Sequence, residues 1–226
     1  MARRKKNKQE EEVLVDIVEV RDSMQDFYDK NQKLIWGGAV VFLVLIGGFF
    51  VYNNLYLQPR QVEAMNQMYQ AQKQFEQDSF AKALTNPGSL YPGFLDIADQ
   101  YKGTKAGNLA NYYSGVAYLN LGKFDVATDY LKSYKPQNEL MGIMKNGALG
   151  DCLSELNDLN GAQSYYEKSV NSNNDLLTPY YLQKLGLLHE RNNNPTAAKD
   201  AYNRIKKDFP TSKEGVEVDK YLARVN

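Results

Sequence analysis

One cysteine and one histidine leave this chain short of the side chains that most site chemistry requires. Cys152 alone excludes an internal disulfide, and no Cys-x-x-Cys occurs, so it reads as a small packed residue on a helix. His189-Glu190 opens like a zinc-protease motif, but the second histidine would fall at Asn193 and a ligand is missing. His189 therefore reads as a packed helix residue. Gly122-Lys123 runs into Phe124 and has Ala117 where a phosphate-binding loop requires glycine. No serine sits in a nucleophile elbow. The reading is a non-enzyme with no cofactor and no metal.

An excess of either charge is absent as well. The 27 Lys and Arg balance 27 Asp and Glu, and 19 of each lie beyond Leu57, so no basic stripe for nucleic acid can be drawn. No Asn-x-Ser/Thr site is usable, because Asn194-Pro195-Thr196 carries proline at its centre. That argues against a eukaryotic secretory lumen and towards a bacterial periplasm.

Charge is missing altogether between Lys33 and Arg60, a run of 26 residues. Residues 34–52 are almost wholly apolar, including Val40-Val41-Phe42-Leu43-Val44-Leu45-Ile46. Roughly 20 helical residues span a hydrocarbon core of about 30 Å. Trp36 would mark one interface, and Tyr52, Asn53, Asn54 and Tyr56 the other. The run is longer than a signal-peptide core and 33 residues precede it, so residues 34–57 are expected to be a membrane anchor that is not cleaved. Eight Lys or Arg precede it, opening with Arg3-Arg4-Lys5-Lys6, whereas only Arg60 and Lys73 fall in the 20 residues after Leu57. The positive-inside bias then places the N-terminus in the cytoplasm and the remainder across the membrane. Within the anchor, Gly37, Val41, Val44 and Gly48 share one face, where small residues let another membrane helix pack closely. Glycine is also simply common in membrane helices, and the sequence leaves that alternative open.

Ahead of the anchor, residues 1–33 form a polybasic tip and a helix with the apolar stripe Val13, Ile17, Val20, Met24 and Phe27. Asp16, Glu19, Asp22, Asp26 and Asp29 line its other faces, which disfavours an anionic lipid surface. A partner helix and a plain stalk both fit.

Beyond the anchor, one pattern recurs. Gly115, Gly150 and Gly186 stand 35 and 36 residues apart, each followed 12 residues later by Ala127, Ala162 or Ala198. Four residues further come Leu131, Tyr166 and Tyr202. Small residues on two successive helices let their backbones approach, and the bulky residue fills the space beside that contact. Helix pairs are expected at roughly 105–134, 139–171 and 178–208. Thr178-Pro179 and Asn194-Pro195 each place a capping residue before a first-turn proline. An irregular first pair, without the Gly-to-Ala spacing, is expected as one helix from Pro59 to Leu84 with Met65, Met68, Tyr69 and Phe75 on one side. A shorter helix from Pro92 completes it. A final polar-faced helix from Ser212 to Arg224 caps the open end.

This pattern resembles the tetratricopeptide family, whose period is about 34 residues. Leu182, Leu185, Gly186, Ala198, Tyr202 and Pro210 carry the likeness best, and the family's frequent tryptophan is replaced by Asn111 and Asn146 in the first two copies. The resemblance implies an all-α helical solenoid over residues 58–226 that binds through the concave face of its first helices. The groove positions it implies are Leu109, Tyr112, Val116 and Leu119, then Met144 and Asp151, then Tyr180, Gln183, Leu187, Glu190 and Arg191. Tyr112 and Val116 replace the first pair of the carboxylate clamp some relatives use. The chain's own first helix covering this face is the alternative.

The whole plan, including the stretch from Tyr91 to Ala110, is similar to the YfgM family of ancillary subunits of the bacterial Sec translocon. That likeness implies as partners a SecYEG-type channel, a PpiD-type anchored chaperone and exported polypeptides. Other anchored tetratricopeptide adaptors remain as rivals, in envelope assembly, in cell division or as a mitochondrial import receptor. An outer-membrane lipoprotein would need a cysteine just after the apolar segment, and the chain has only Cys152.

Overall fold

The computed structural model describes the backbone of residues 2–88 and 90–225, and the side chains from Arg21 onward except Asp22. Among the described residues there is no strand. The chain divides into two compact units, 1–56 and 57–226.

The first unit is α1 (Ala2–Val51) and most of a π-helical segment, Tyr52–Leu57. It contains a stretch long and apolar enough to cross a membrane, with none of that stretch buried. Trp36 Nε1 donates to the Tyr28 hydroxyl at 3.1 Å. A Cβ placed on Gly37 or Gly48 would meet nothing within 4 Å, and Val41 and Val44 are exposed, so the small-residue face is uncovered. Val13, Ile17 and Val20 lie outside the described side chains, while Met24 and Phe27 are exposed. The π segment has a local cause in Pro59. Proline offers no N–H to the carbonyl four residues back, at Leu55, and its ring crowds that carbonyl, so the wider turn relieves both.

The second unit is a stack of helix pairs. Its helices are α2 (Gln58–Glu76), α3 (Phe80–Thr85), α4 (Phe94–Gln100), α5 (Lys105–Asn120) and α6 (Phe124–Ser133). They continue with α7 (Glu139–Glu155), α8 (Leu159–Ser169), α9 (Leu177–Arg191), α10 (Pro195–Asp208) and α11 (Lys213–Leu222). The three regular pairs stand where their spacing placed them. Side chains of Thr104, Asn138, Asp158, Asn194 and Ser212 each accept from the backbone N–H three residues on, which starts five of these helices.

The first pair departs from expectation and is more regular than its sequence suggests. No helix runs from Pro59 to Leu84: α2 stops at Glu76, and Asp78 takes a left-handed conformation, φ 54°. Gly122, Asn157 and Asn193 hold the same conformation at the corresponding point of the next three pairs. Counting seven residues back from each gives Ala71, Gly115, Gly150 and Gly186; five residues on stand Ala83, Ala127, Ala162 and Ala198, all fully buried. The spacing is therefore present in the first pair, with Ala71 in glycine's place. What is irregular is its second helix. Pro87 falls four residues after Ala83, has no N–H for that carbonyl, and splits the helix into α3 and α4.

The buried face of α2 also differs. Ala64, Met68 and Ala71 are buried and Phe75 packs beside them, whereas Met65 and Tyr69 are exposed. The expected face is thus met at Met68 and Phe75, while Met65 and Tyr69 each stand one residue past the buried positions Ala64 and Met68 and so turn outward. Nor does Thr178 cap α9. It lies inside the first turn, fully buried, and Asn174 Oδ1 accepts instead from the N–H groups of Leu176 and Leu177.

The core runs through the stack in three clusters. One joins Met68, Phe94 and Ile97 around the first pair, and a second joins Leu131, Tyr134, Leu149 and Cys152. A third runs from Ile143 through Tyr166, Leu182 and Tyr202 to Val218 and Leu222 of α11. Helix α11 buries Val218 and Leu222 and turns charge outward, with Lys206–Asp219 and Arg224–Glu190 bridges at 2.7 and 2.8 Å. It closes the end of the stack as the polar-faced cap expected.

Candidate partner-binding groove

The second half of α5, with α7 and α9, lines a cleft of about 790 Å³. Eight of the expected positions meet there: Tyr112, Val116 and Leu119 from α5, Met144 and Asp151 from α7, and Tyr180, Leu187 and Arg191 from α9. No residue of α2 lines it.

Three expected positions fall elsewhere. Leu109 packs between two core clusters. Gln183 is half-buried off the cleft. Glu190 is engaged with the C-terminal cap, accepting from the Tyr202 hydroxyl and, at 2.8 Å, from Arg224 Nη2.

Several lining residues carry no sequence signal of their own. Lys184 Nζ donates to both Asp151 carboxylate oxygens at 2.6 and 2.7 Å, and the Tyr166 hydroxyl donates to Oδ1 at 2.6 Å. Asp151 is thus ion-paired from α9 and hydrogen-bonded from α8. Burial alone would lower the Lys184 ammonium, but the Asp151 carboxylate more than offsets it and the net direction is up. Burial, then Asp151, pushes the Tyr166 and Tyr181 hydroxyls up. Tyr181 reaches the cleft because Gly147 leaves room: a Cβ there would lie 2.0 Å from its ring. The second glycine within α7 was the available clue. Lys184 also sits 4.8 Å from the Tyr180 ring centroid, a cation–π contact.

The exposed lining of the cleft is mixed: Tyr180 and Leu187 stand among the polar Asn120, Glu155 and Arg191. Tyr180 and Leu187 are each 40 % exposed, whereas Tyr112 is buried, its hydroxyl pushed up to about 12 chiefly by burial. Arg191 spans α9 and α7, donating to the Ser154 carbonyl and to Asn157 Oδ1, both at 3.0 Å. His189 is buried outside the cleft, its pKa lowered by burial, and Cys152 is fully buried with its thiol pushed up to about 11 by burial. Both are packing residues.

A tetratricopeptide-repeat family model matches residues 180–212, which covers most of α9, all of α10 and the turn into α11. No curated protein matches the sequence. The chain therefore contains a tetratricopeptide-type repeat, set in an all-α domain whose other pairs repeat its geometry. Domains of this kind mediate protein–protein contacts and typically carry no catalysis.

Proposed function

We propose that this chain is a non-catalytic scaffold, anchored in a membrane by residues 34–57, whose groove holds a segment of a partner protein. The observation that carries the reading is the open cleft between α5, α7 and α9, in which Tyr180 and Leu187 stand half exposed within a polar rim and beside an ion-paired Asp151. Aromatic anchors in a cleft of this kind suit an extended strand or the apolar face of a helix. In its finer form the reading rests on the resemblance to the YfgM family. The chain is then an accessory subunit of the Sec translocon, with its N-terminus in the cytoplasm and its repeats in the periplasm. Its partners are a SecYEG-type channel, a PpiD-type anchored chaperone and emerging exported polypeptides.

Affinity recovery of the full chain in mild detergent tests this. Tyr180→Ala with Leu187→Ala should reduce partner recovery at least tenfold while far-UV helicity and melting stay near wild type. Unchanged recovery would reject the groove. Recovery of envelope-assembly or division proteins alone would keep the scaffold and reject the translocon role.

A further inference from the structure

A second cleft, about 800 Å³, lies against the first half of α5, between the turn that precedes α5 and the turn between α6 and α7. Three lysines border it, Lys102, Lys105 and Lys135, against one acid, Asp99. All three are exposed, and among the described residues none of their ammonium groups is ion-paired. The arrangement is fixed by the backbone. Asn108 Nδ2 donates to the Lys135 carbonyl at 2.7 Å, and Lys135 N–H donates to Asn108 Oδ1 at 2.8 Å, so one asparagine holds the second turn in place. Buried Thr104 locks the first turn, donating to the Tyr101 carbonyl at 2.7 Å and accepting from Gly107 N–H at 3.0 Å.

The same turn is bound to the start of α2. Arg60 Nη2 donates to the Gln100 carbonyl, its guanidinium lies 5.5 Å from the Tyr101 ring centroid, and Ala106 N–H donates to Gln61 Oε1 at 3.0 Å. Arg60 is only three residues beyond Leu57, where the apolar segment ends. Even fully extended, that chain reaches about 11 Å. The turn bordering the cleft is therefore tied, by bonds within its own unit, to residues only three and four positions along the chain from Leu57.

We propose that this cleft receives the anionic headgroups of phospholipids at the surface of the membrane that residues 34–57 cross; the inference rests on that reading of the anchor. Lysine ammonium groups are compact charges that suit headgroup phosphates, which impose no fixed fork geometry. Each lysine near an anionic surface favours contact about fivefold, so three act together by roughly two orders of magnitude. The contact would hold the repeats by the bilayer and leave the groove on α7 and α9 free for protein.

The test uses the full chain reconstituted in vesicles of neutral phosphatidylcholine, with or without one-third phosphatidylglycerol. A fluorophore on Ser133→Cys reports the cleft, because the buried Cys152 thiol does not compete for label. Quenching by brominated lipid is expected only in the anionic vesicles. It should disappear in Lys102→Gln/Lys105→Gln/Lys135→Gln and at high salt. Equal quenching in neutral vesicles, quenching retained by the triple variant, or no quenching by a carbonate-resistant chain would each overturn the lipid site while leaving the anchor intact. Abolition by millimolar inorganic phosphate would identify a small-anion site and overturn it too. Extraction of the chain by alkaline carbonate would overturn the anchor reading and this inference with it.

Discussion

The ring of Tyr202 occupies the space in which a side chain on Gly186 would stand: a Cβ there would lie 2.3 Å from Tyr202 Cε1. Tyr166 meets Gly150 in the same way, and Leu131 meets Gly115, both at 2.6 Å. The recurring glycine and the bulky residue 16 positions later are thus two halves of one contact. Because the Tyr202 ring is fully buried it cannot swing aside. Gly186→Ala should destabilise the domain by about 1–3 kcal/mol, measured by chemical denaturation. A neutral result would mean that the helices are not in close contact there.

Left-handed residues in the inter-helix turns give a second prediction. Asp78 holds φ 54° with a Cβ to accommodate, as does Asn193, so Asp78→Gly or Asn193→Gly should stabilise by about 0.5–1 kcal/mol. Asn157→Gly should gain little or lose stability, since its side chain accepts from Arg191 Nη2 and glycine abolishes that bond. Equal gains at all three positions would remove any weight from the Arg191 contact.

Alkaline pH should unfold the domain through its tyrosines. The hydroxyls of Tyr112, Tyr166, Tyr181 and Tyr202 are all raised above the usual value near 10, first by burial. A group whose folded pKa is raised contributes stability that is present below its unfolded pKa and is lost as pH climbs towards the folded value. A step in tyrosinate absorbance well above the ordinary tyrosine value should therefore coincide with loss of helicity, because Tyr112 itself is pushed up to about 12. A single smooth titration with helicity intact would contradict the burial.

Replacing Gly37 and Gly48 by leucine tests the anchor's small face. Both positions are open in the described unit, so neither substitution should disturb folding or insertion. Crosslinks from Val41 or Val44 to neighbouring membrane proteins should fall severalfold. Unchanged crosslinks would make the face ordinary membrane composition.

How much was legible follows from how each feature is encoded. The regular pairs are readable because their glycines, alanines and the bulky residues four positions further on are local and repeat in register. The first pair is less legible because Ala71 does glycine's work and Pro87 interrupts the second helix, so it lacks the glycine that marks the others. Asn194 was recognisable as a cap, whereas Thr178 was not separable from Asn174 without knowing where the loop turns back. In the groove, eight of eleven expected residues meet, but Lys184 and Tyr181 depend on contacts between helices 30 or more residues apart, Asp151 with Lys184 and Gly147 with Tyr181. Such contacts leave no mark in local spacing.

The most direct measurement of the central claim is photocrosslinking from Leu187 in the membrane-embedded full chain. Val216 of α11, 76 % exposed and off the groove, serves as the control position. A probe at Leu187 is predicted to give discrete protein adducts that weaken in Tyr180→Ala, while the Val216 probe gives none of them. Adducts no stronger from Leu187 than from Val216 would contradict a partner-binding groove.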